Sequence, residues 1–347
     1  MRVVVVGAGA VGARVGRQLT SSDAGLEGLV VVDRDQRRAA AVAESLGSVA
    51  RPAEWGPDVL AGAHVAVLAS PSGHRRLAEE ALEAGLHVVS VTDDVDEVRG
   101  LLALDAEARE RGRSVVVGAG FAPGFTCLLA RHAASAFDTV DEVHVAKAGT
   151  GGPACARSHH RALASWAVDW RDGGWQRRPG GSGRELAWFP DPVGGQDCYR
   201  GALPDAFVLV PAFPGVRRVT ARMAATRRDR LTARLPMLRP PHPEGTIGAV
   251  RVEVRGRRGS GRDTRVLGAI ERPAIASGMV AAVAAQWAAG GRLARPGAGG
   301  LGELVDDPVP YLQELARRGV RAAVFEGAAA GAGTGAAGAT ASLAPTD

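Results

Sequence analysis

The first 120 residues of the chain alternate between short, continuously apolar runs and longer stretches with a helical period. Val3–Val6 is the first such run, and Ala10–Leu19 then places Val11, Val15 and Leu19 on a single stripe. Continuous β-branched runs are typical of strands that are buried on both faces, as parallel strands are. The pattern therefore predicts an α/β fold that begins with a doubly wound parallel sheet.

Beyond Gly120 the apolar positions change to a period of two. Val250, Val252 and Val254 alternate with charged residues, and a turn at Gly259–Gly261 leads into another apolar run. Alternation of this kind is typical of strands with one buried face, and the turn predicts a hairpin. We expect a second, α+β domain with a mixed or antiparallel sheet.

One segment of this second region is rich in tryptophan, glycine and arginine. Trp166 and Trp170 are four residues apart, which predicts that they share one face of a helix. The stretch that follows, Arg171–Gly183, has little apolar content. We expect it to be a surface loop that closes over a bound ligand, as gating loops do.

The charge balance and the cysteines exclude several classes of protein. The 42 Lys and Arg against 37 Asp and Glu give a net charge of +5 spread along the chain, whereas nucleic-acid binding needs basic residues gathered on one face. Three cysteines without a C-x-x-C spacing exclude a disulfide scaffold and a thiolate zinc site of the usual spacing. Ala274–Ala289 is shorter than the roughly 20 apolar residues of a membrane span. We expect a cytoplasmic protein that binds neither nucleic acid nor membrane.

A glycine-rich turn joins the first predicted strand to the first predicted helix. Gly7, Gly9 and Gly12 form a G-x-G-x-x-G motif, and Asp33 ends the next strand 21 residues after Gly12. The strand, the helix and the acidic residue at this distance together indicate a Rossmann dinucleotide-binding site. The helix start holds the pyrophosphate through its free N–H groups, so the predicted contacts include two more residues, Ala10 and Val11.

Two further features bear on the cofactor. Asp33 favours NAD(H), because its charge repels a 2′-phosphate, whereas Arg34 could pair with that phosphate and keeps NADP(H) open. Ala69, Ser70 and Pro71 follow the fourth predicted strand and are expected to border the nicotinamide ribose. The alternative interpretation of this turn is an ordinary strand–helix connection with Ser72 as the helix N-cap.

Several motifs together resemble one family. The sequence Gly-Ala-Gly-Phe-Ala-Pro-Gly at Gly118–Gly124, the segment Glu80–Val89, the pair Arg272-Pro273 and the pair Asp307-Pro308 resemble the saccharopine dehydrogenase-like NAD(P)-binding oxidoreductases. The resemblance implies hydride transfer at a C–N bond of an amino acid or amine. It also implies a C-terminal segment that packs on the first domain, and homodimers formed through the second.

Two alternatives stay open. The glucose-fructose oxidoreductase type of sugar dehydrogenase is a neighbouring family, but it typically carries a catalytic lysine in Glu-Lys-Pro where this chain has Thr92-Asp93-Asp94. The second alternative is an NAD(P)-binding sensor protein without turnover. Asp93 itself is a weak candidate, because it could simply cap the following helix.

These patterns divide the chain into four parts. We expect a dinucleotide-binding domain over residues 1–122 and an α+β substrate and dimerisation domain over residues 123–290. Residues 291–325 are expected to return to the first domain, and residues 326–347, which are low-complexity Ala, Gly and Thr, to form a disordered tail.

The candidates for chemistry come from the second domain. His160 belongs to the pair His159-His160, and histidine is the residue type best suited to proton transfer at neutral pH. Lys147 is the only lysine of the chain, so His160 and Lys147 are the candidate catalytic residues. The alternatives are helix-surface histidines and a solvated lysine. No spacing of His, Asp or Glu suggests a metal site.

We expect the substrate to be a small molecule, and its carboxylate to bind at two small-residue turns that precede helices. Free N–H groups at a helix start favour an anion, and glycine lets a ligand approach the backbone. The alternative is that these glycines only permit tight packing. The predicted substrate contacts are Gly120, Gly124, Gly151, Gly152 and Arg157.

Overall fold

The structure is a computed structural model that describes residues 1–22, 25–237 and 240–324. The predicted tail over residues 326–347 lies outside the described residues. Across the described part of the chain, no helix combines the length and the apolar character that crossing a bilayer requires.

Strands and helices alternate along the first third of the chain, as the apolar pattern predicts. Their bounds are β1 (Arg2–Val6), α1 (Ala10–Thr20), β2 (Gly28–Val32), α2 (Gln36–Ser45), β3 (Ala50–Ala53), α3 (Pro57–Leu60), β4 (Val65–Leu68), α4 (His74–Glu83), β5 (His87–Ser90), α5 (Val95–Leu102), α6 (Asp105–Glu110) and β6 (Ser114–Val116).

The remaining elements form a second sheet with its helices, and a C-terminal set that contributes to both sheets. They are α7 (Phe125–Ala134), β7 (Thr139–Ala148), α8 (Pro153–Ala164), β8 (Trp166–Arg171), β9 (Gly174–Pro179), β10 (Glu185–Trp188), β11 (Gly195–Tyr199), α9 (Asp205–Leu209), β12 (Arg218–Ala224), α10 (Arg227–Thr232), β13 (Gly248–Arg258), β14 (Gly261–Glu271), α11 (Pro273–Ala289), β15 (Gly297–Gly299), α12 (Leu301–Leu304), α13 (Val309–Arg317) and β16 (Arg321–Val324).

The first sheet has seven strands in the order β15-β6-β5-β4-β1-β2-β3, all paired in parallel. The second sheet has nine strands in the main order β10-β11-β12-β7-β13-β14-β16, with β8 on β12 and β9 on β8. Only the β12–β7 pair of this second sheet is parallel. The predicted α/β class, with a Rossmann sheet followed by a second mixed sheet, is confirmed.

Helix α11 carries the chain back from the second sheet to the first. Almost all of its residues are buried, and Gly278 lies so close to α1 that a Cβ there would stand 2.5 Å from the Cβ of Arg14. Tyr311 then donates a hydrogen bond to the Val280 carbonyl at 2.6 Å, which fixes α13 on α11. The return therefore begins at Pro273, earlier than the predicted residue 291, because a helix that is apolar on every side must be covered on every side. The four predicted domain limits as a set stay a prediction.

The expected surface loop at Arg171–Gly183 is wrong, because β8 and β9 form a hairpin there. Trp166 and Trp170 lie on a strand rather than a helix. The Trp170 and Trp175 rings are 4.9 Å apart across the hairpin, and Trp175 stacks on Phe207 at 4.6 Å. Aromatic packing of this kind stabilises a hairpin whose other residues are mostly polar, so the segment is a hairpin rather than a surface loop, and its closure over a ligand stays a prediction.

The same hairpin is anchored by a buried ion pair. Arg222 on β12 donates to both carboxylate oxygens of Asp169 on β8, at 3.0 and 3.2 Å. The Arg222 side chain is only 3% exposed, and its charge is compensated mainly by this carboxylate, because Glu185, 3.7 Å from Arg222 Nε, is exposed and forms no hydrogen bond to it. Removing one partner of a buried pair leaves an uncompensated charge.

We expect Asp169→Ala to lower the free energy of unfolding by about 3–5 kcal/mol, the usual cost of breaking a buried ion pair from one side. The matched control is Glu79→Ala, which removes the exposed partner of Arg75 and is expected to cost less than about 1 kcal/mol. Urea unfolding followed by circular dichroism measures both. Equal losses for the two variants would contradict the role given to Asp169.

Candidate functional site

The fingerprint turn between β1 and α1 requires two of its three glycines for packing. Gly7 has a φ of +104°, and a Cβ there would stand 2.6 Å from the backbone of Ala69. A Cβ on Gly12 would stand 1.7 Å from the Gly7 carbonyl oxygen. Larger residues at either position would push α1 away from the turn, so these glycines set the distance between the helix and the sheet.

Gly9 differs, because nothing lies within 4 Å of the place where its Cβ would be. Its backbone is extended, and it immediately precedes Ala10 and Val11 at the start of α1, which has no side-chain cap and no acidic residue in its first turn. The first N–H groups of a helix lack partners within the helix and favour an anion. The open space and the uncapped helix start fit the pyrophosphate of a dinucleotide.

Asp33 ends β2 at the rim of this turn. Its carboxylate accepts hydrogen bonds from the Ala8 N–H at 2.7 Å and from the Asp35 N–H at 2.9 Å. A carboxylate offers about four acceptor positions, so two contacts to backbone leave capacity for the ribose hydroxyls. Arg34 is exposed beside it. The structure thus places the predicted adenosine-side residues around one turn.

The buried side chain of His74 holds the turn after β4 in place through hydrogen bonds. His74 contacts the Ser70 carbonyl through Nε2 at 2.7 Å and the Ser90 hydroxyl through Nδ1 at 2.8 Å. Burial lowers the pKa of His74, which keeps its ring neutral in this position. The N-cap of α4 is Gly73 rather than Ser72, so the N-cap role considered for Ser72 is wrong. Pro71 is exposed at its outer edge.

A charged cluster lies just beyond β5, and Asp93 is at its centre. Asp94 caps α5 by accepting from the N–H groups of Asp96 and Glu97, so Asp93 is not the cap. One Asp93 oxygen lies 3.1 Å from His159 Nε2 and 3.6 Å from Lys147 Nζ. The Ser158 hydroxyl donates to the other oxygen at 3.3 Å. The carboxylate thus contacts three side chains of the second domain.

Lys147 reaches this cluster from the end of β7 and is 5% exposed. Its ammonium group also donates to the Ala122 carbonyl at 3.3 Å. Because β5, β4 and β1 are neighbours and parallel strands lie about 4.8 Å apart, the cluster stands at the same edge of the sheet as the fingerprint, about two strand spacings away. A dinucleotide bound at this edge would extend from β1 toward the cluster.

The charges in the cluster hold one another in place. Burial raises the pKa of Asp93, but the positive charges of Lys147 and His159 outweigh it and hold that pKa well below its usual range. Burial lowers the pKa of His159, but the negative charge of Cys155 and the hydrogen bond to Asp93 outweigh it and raise that pKa to about 9. His159 is therefore protonated at neutral pH and can donate a proton.

Of the two predicted catalytic residues, the cluster contains Lys147 but not His160. The His160 side chain points away from the cluster, and its Nε2 contacts the Leu235 carbonyl at 2.9 Å. One residue along a helix is a rotation of about 100°, so His159 faces Asp93 and His160 cannot. Arg157 is exposed on the same helix.

The two glycine turns that were predicted to bind a carboxylate pack against protein. A Cβ on Gly124 would stand 2.4 Å from the Gly120 carbonyl oxygen, and the Gly120 N–H already donates to Pro123. Cβ atoms on Gly151 and Gly152 would stand 3.2 Å from the Ala274 nitrogen and 3.1 Å from Ala10 respectively. Close packing therefore accounts for all four glycines, and we no longer assign the carboxylate to them.

The fold also brings together a donor set that the sequence spacing did not suggest. Asp93, Cys155 and His159 each offer a possible metal-ligand atom, and these atoms lie within 4.8 Å of one another. The Lys147 ammonium contacts the same Asp93 oxygen as His159 and would repel a metal cation there. The donors fit a metal by type but not by charge, so we assign no metal to this cluster.

Sequence reasoning passed over Cys155 and treated Asp93 only as a weak candidate. The signal for Cys155 is its spacing from His159, since residues four apart lie on one face of a helix. The signal for Asp93 is the Asp-Asp pair, of which one member suffices to cap α5. Neither signal predicts that Asp93 lies against the α8 face that carries Cys155 and His159, because that contact depends on how the domains pack.

The comparisons with known proteins agree with this geometry. Residues 1–119 match the model of the Gfo/Idh/MocA oxidoreductase family, described as an NAD-binding Rossmann fold. No protein of curated function matches the chain. Saccharopine dehydrogenase (L-Glu forming) from Saccharomyces cerevisiae is similar in structure over 93% of this chain and 99% of its own, with a TM-score of 0.68 and 16% sequence identity.

Two further solved structures are similar at lower scores. GenD2 from gentamicin A biosynthesis, in complex with NAD, is 18% identical over 94% of this chain and 96% of its own, with a TM-score of 0.47. DAP dehydrogenase from C. glutamicum, in complex with DAP, is 14% identical over 92% and 99%, with a TM-score of 0.46. Residues 1–119 are thus similar to the NAD-binding Rossmann fold of that oxidoreductase family, and the predicted resemblance to saccharopine dehydrogenase is confirmed for the fold.

We expect Gly9→Val to fold normally and to lose NADH binding. The backbone of Gly9 suits a β-branched residue, and the new side chain would occupy the open space beside the start of α1. Loss of two hydrogen bonds to a charged pyrophosphate, at about 1.5–3 kcal/mol each, lowers the affinity roughly 100-fold or more. Fluorescence titration with NADH measures this loss, and thermal unfolding checks the fold. A folded variant with wild-type affinity would overturn the assignment of the pyrophosphate.

Proposed function

We propose that the protein is an NAD(P)-dependent oxidoreductase that transfers a hydride at a C–N bond of an amino-acid-like or imine substrate. The observation that carries the proposal is the cluster at the end of β5, where Asp93 holds His159 at 3.1 Å and the only lysine of the chain at 3.6 Å. The resemblance of the sequence motifs to saccharopine dehydrogenase-like enzymes supports the substrate class.

Each residue of the cluster has a distinct task in this reaction. The nicotinamide supplies or accepts the hydride, so the protein has to orient the reactants and move one proton. In the direction of imine reduction, the protonated His159 donates that proton to the substrate nitrogen, which makes the neighbouring carbon a better hydride acceptor. Asp93 orients the imidazolium, and the Lys147 ammonium keeps the Asp93 carboxylate ionised.

The cofactor we propose is NAD(H), because the Asp33 carboxylate stands where a 2′-phosphate would be repelled. Arg34 is exposed beside it and could pair with that phosphate, so NADP(H) is the alternative cofactor. We keep three further expectations as proposals: a homodimer through the second domain, which the resemblance implies, a cytoplasmic location, which the cysteine content favours, and a carboxylate-bearing substrate.

A sugar or polyol dehydrogenase is the second candidate. The match of residues 1–119 to the Gfo/Idh/MocA family favours it, and the structure weakens the argument against it. That argument was the lack of a lysine directly after β5, whereas Lys147 reaches the same strand end from β7. A lysine or histidine beside a substrate hydroxyl can accept its proton in alcohol oxidation as readily as it serves an amine.

A substrate panel distinguishes the candidates. Amino acids with NAD⁺ or NADP⁺, mixtures of amino acids with aldehydes or keto acids and a reduced cofactor, and sugars or inositols with the oxidised cofactors are followed by nicotinamide absorbance. Turnover of the first two sets supports the proposed function. Turnover confined to sugars or inositols would replace it with the second candidate, and tight NADH binding without turnover on any set would favour a sensor protein.

We expect Asp33→Asn to weaken NADH binding and to shift the preference toward NADPH. The amide keeps the shape of the side chain but removes the charge that repels a 2′-phosphate. Asp35→Asn is the matched control, since it makes the same change two residues away at the N-cap of α2, where Asn is also favoured. Fluorescence titration with both cofactors gives the affinity ratio. An unchanged ratio in Asp33→Asn would mean that Asp33 does not contact the ribose.

We expect His159→Gln to lower kcat by roughly 10²–10⁴-fold, the usual contribution of a positioned acid or base. His160→Gln is the matched control on the next residue and is expected to keep kcat within about threefold, because His160 contacts only the Leu235 carbonyl here. NADH affinity, which depends on the first domain, should stay near the wild-type value in both. The rate is measured with the best substrate of the panel. Equal rates in the two variants would remove His159 from the reaction.

A further inference from the structure

The thiol of Cys155 has no task in the proposed reaction, although it lies within the charged cluster. Its Sγ is 3.6 Å from His159 Nε2, and the same nitrogen is 3.1 Å from Asp93. An ionised carboxylate can only accept a hydrogen bond, so Nε2 must carry a proton. The sulfur therefore faces an N–H donor and acts as the acceptor, a role that a thiolate fills better than a thiol.

The place of Cys155 in α8 favours the same charge state. It is the third residue of this 12-residue helix, which begins at Pro153. The N-terminal turn of a helix carries a partial positive charge, and cysteines there have lowered pKa values. His159 is four residues further on, so both side chains lie on one face of the helix.

The charged groups around the sulfur come from three elements. Burial raises the pKa of Cys155, and Asp93, after β5, acts in the same direction. The positive charges of His159 on α8 and Lys147 on β7 outweigh both and bring that pKa below its ordinary value. Burial raises the pKa of Cys127 and of Cys198 to about 12, and the charges of Arg222 and Arg251 do not offset it at Cys198. Cys155 is also more exposed than either of them.

We propose that Cys155 is a modification site, at which two-electron oxidants of the hydroperoxide class convert the thiolate to a sulfenic acid beside Lys147 and His159. The sulfur attacks one peroxide oxygen, so that an S–O bond forms as the O–O bond breaks. Sulfur loses two electrons and the peroxide gains them. The second oxygen leaves as hydroxide from hydrogen peroxide, or as alkoxide from an alkyl hydroperoxide, and takes a proton from His159 to give water or an alcohol.

Oxidation would change the cluster as well as the cysteine. The sulfenic acid no longer carries the negative charge that helps to keep His159 protonated, and its sulfur lies within 4.8 Å of an Asp93 carboxylate oxygen. A loss of turnover on oxidation rests on the proposed function. The reactivity of the thiol does not, because it depends only on the cluster.

The test measures thiol reactivity on the full chain by mass spectrometry. Native protein with EDTA is treated with iodoacetamide, and labelling of the three cysteine-containing peptides is followed over time. We expect Cys155 to be labelled at least about tenfold faster than Cys127 and Cys198, because the thiolate is the nucleophile. The control variant His160→Gln should keep the wild-type rate of iodoacetamide labelling. In a second arm, treatment with hydrogen peroxide followed by dimedone should mark Cys155 as a sulfenic acid.

The pH dependence of the labelling rate tests whether His159 stabilises the Cys155 thiolate. An ordinary thiol, with a pKa of about 8.5, reacts about tenfold more slowly for each pH unit below that value. The Cys155 rate should fall less steeply than this between about pH 8 and about pH 6, since its pKa is lowered. His159→Gln should lower the rate at the acidic end roughly tenfold by removing the stabilising charge.

Three results would overturn the proposal. The first is a Cys155 labelling rate that falls with pH like that of an ordinary thiol. The second is a Cys155 labelling rate no higher than those of the two buried cysteines. The third is labelling that requires EDTA, which would mean that a metal holds the thiolate. If His159→Gln does not fold, the wild-type pH profile still decides. None of these readings uses turnover, so a failed substrate panel leaves this test unaffected.

Discussion

The buried charge of Lys147 is the constraint on which the arrangement of the two domains depends. An ammonium group that is 5% exposed has to be compensated, and the compensating carboxylate, Asp93, belongs to the other domain. Breaking such a pair from one side costs about 3–5 kcal/mol, so the domains are held closed at this point. The same contact places His159 at the carboxyl edge of the Rossmann sheet. The candidate chemistry and the domain interface therefore rest on one set of charges.

Close packing of small residues fixes the other side of the junction. Gly278 of α11 lies against Arg14 of α1, and Gly152 lies against Ala10 at the start of that helix. Arg14 also forms an ion pair with Glu244 of the second domain. These contacts hold the uncapped helix start, where a pyrophosphate would bind, at a set distance from the charged cluster. For this reason Gly151 and Gly152 pack against protein and are not accessible to a substrate anion.

The sequence predicted what local patterns determine. The apolar period and the glycine spacing were enough for the Rossmann sheet, the fingerprint and the place of Asp33, because each depends on residues close in the chain. The cluster was predicted only in part, since Asp93 and His159 are 66 residues apart and meet only in the folded chain. The choice between His159 and His160 depended on helix phase, which an error of one residue reverses. The tryptophan hairpin was missed because a spacing of four fits both a helix face and alternate positions of a strand.

The charges of the cluster also bear on why hydride transfer suits this junction. Asp93 and Lys147 balance each other, and the Cys155 thiolate balances the His159 imidazolium, so the cluster as a whole is neutral when all four are ionised. In the proposed imine reduction, His159 would give one positive charge to the substrate, and a bound nicotinamide would be left with one more on supplying the hydride. The positive charge that the hydride acceptor takes up with the proton is cancelled by the hydride itself. The total charge at the junction therefore stays constant through the step, which matters in a partly buried site because an uncompensated charge is costly in a medium of low dielectric constant.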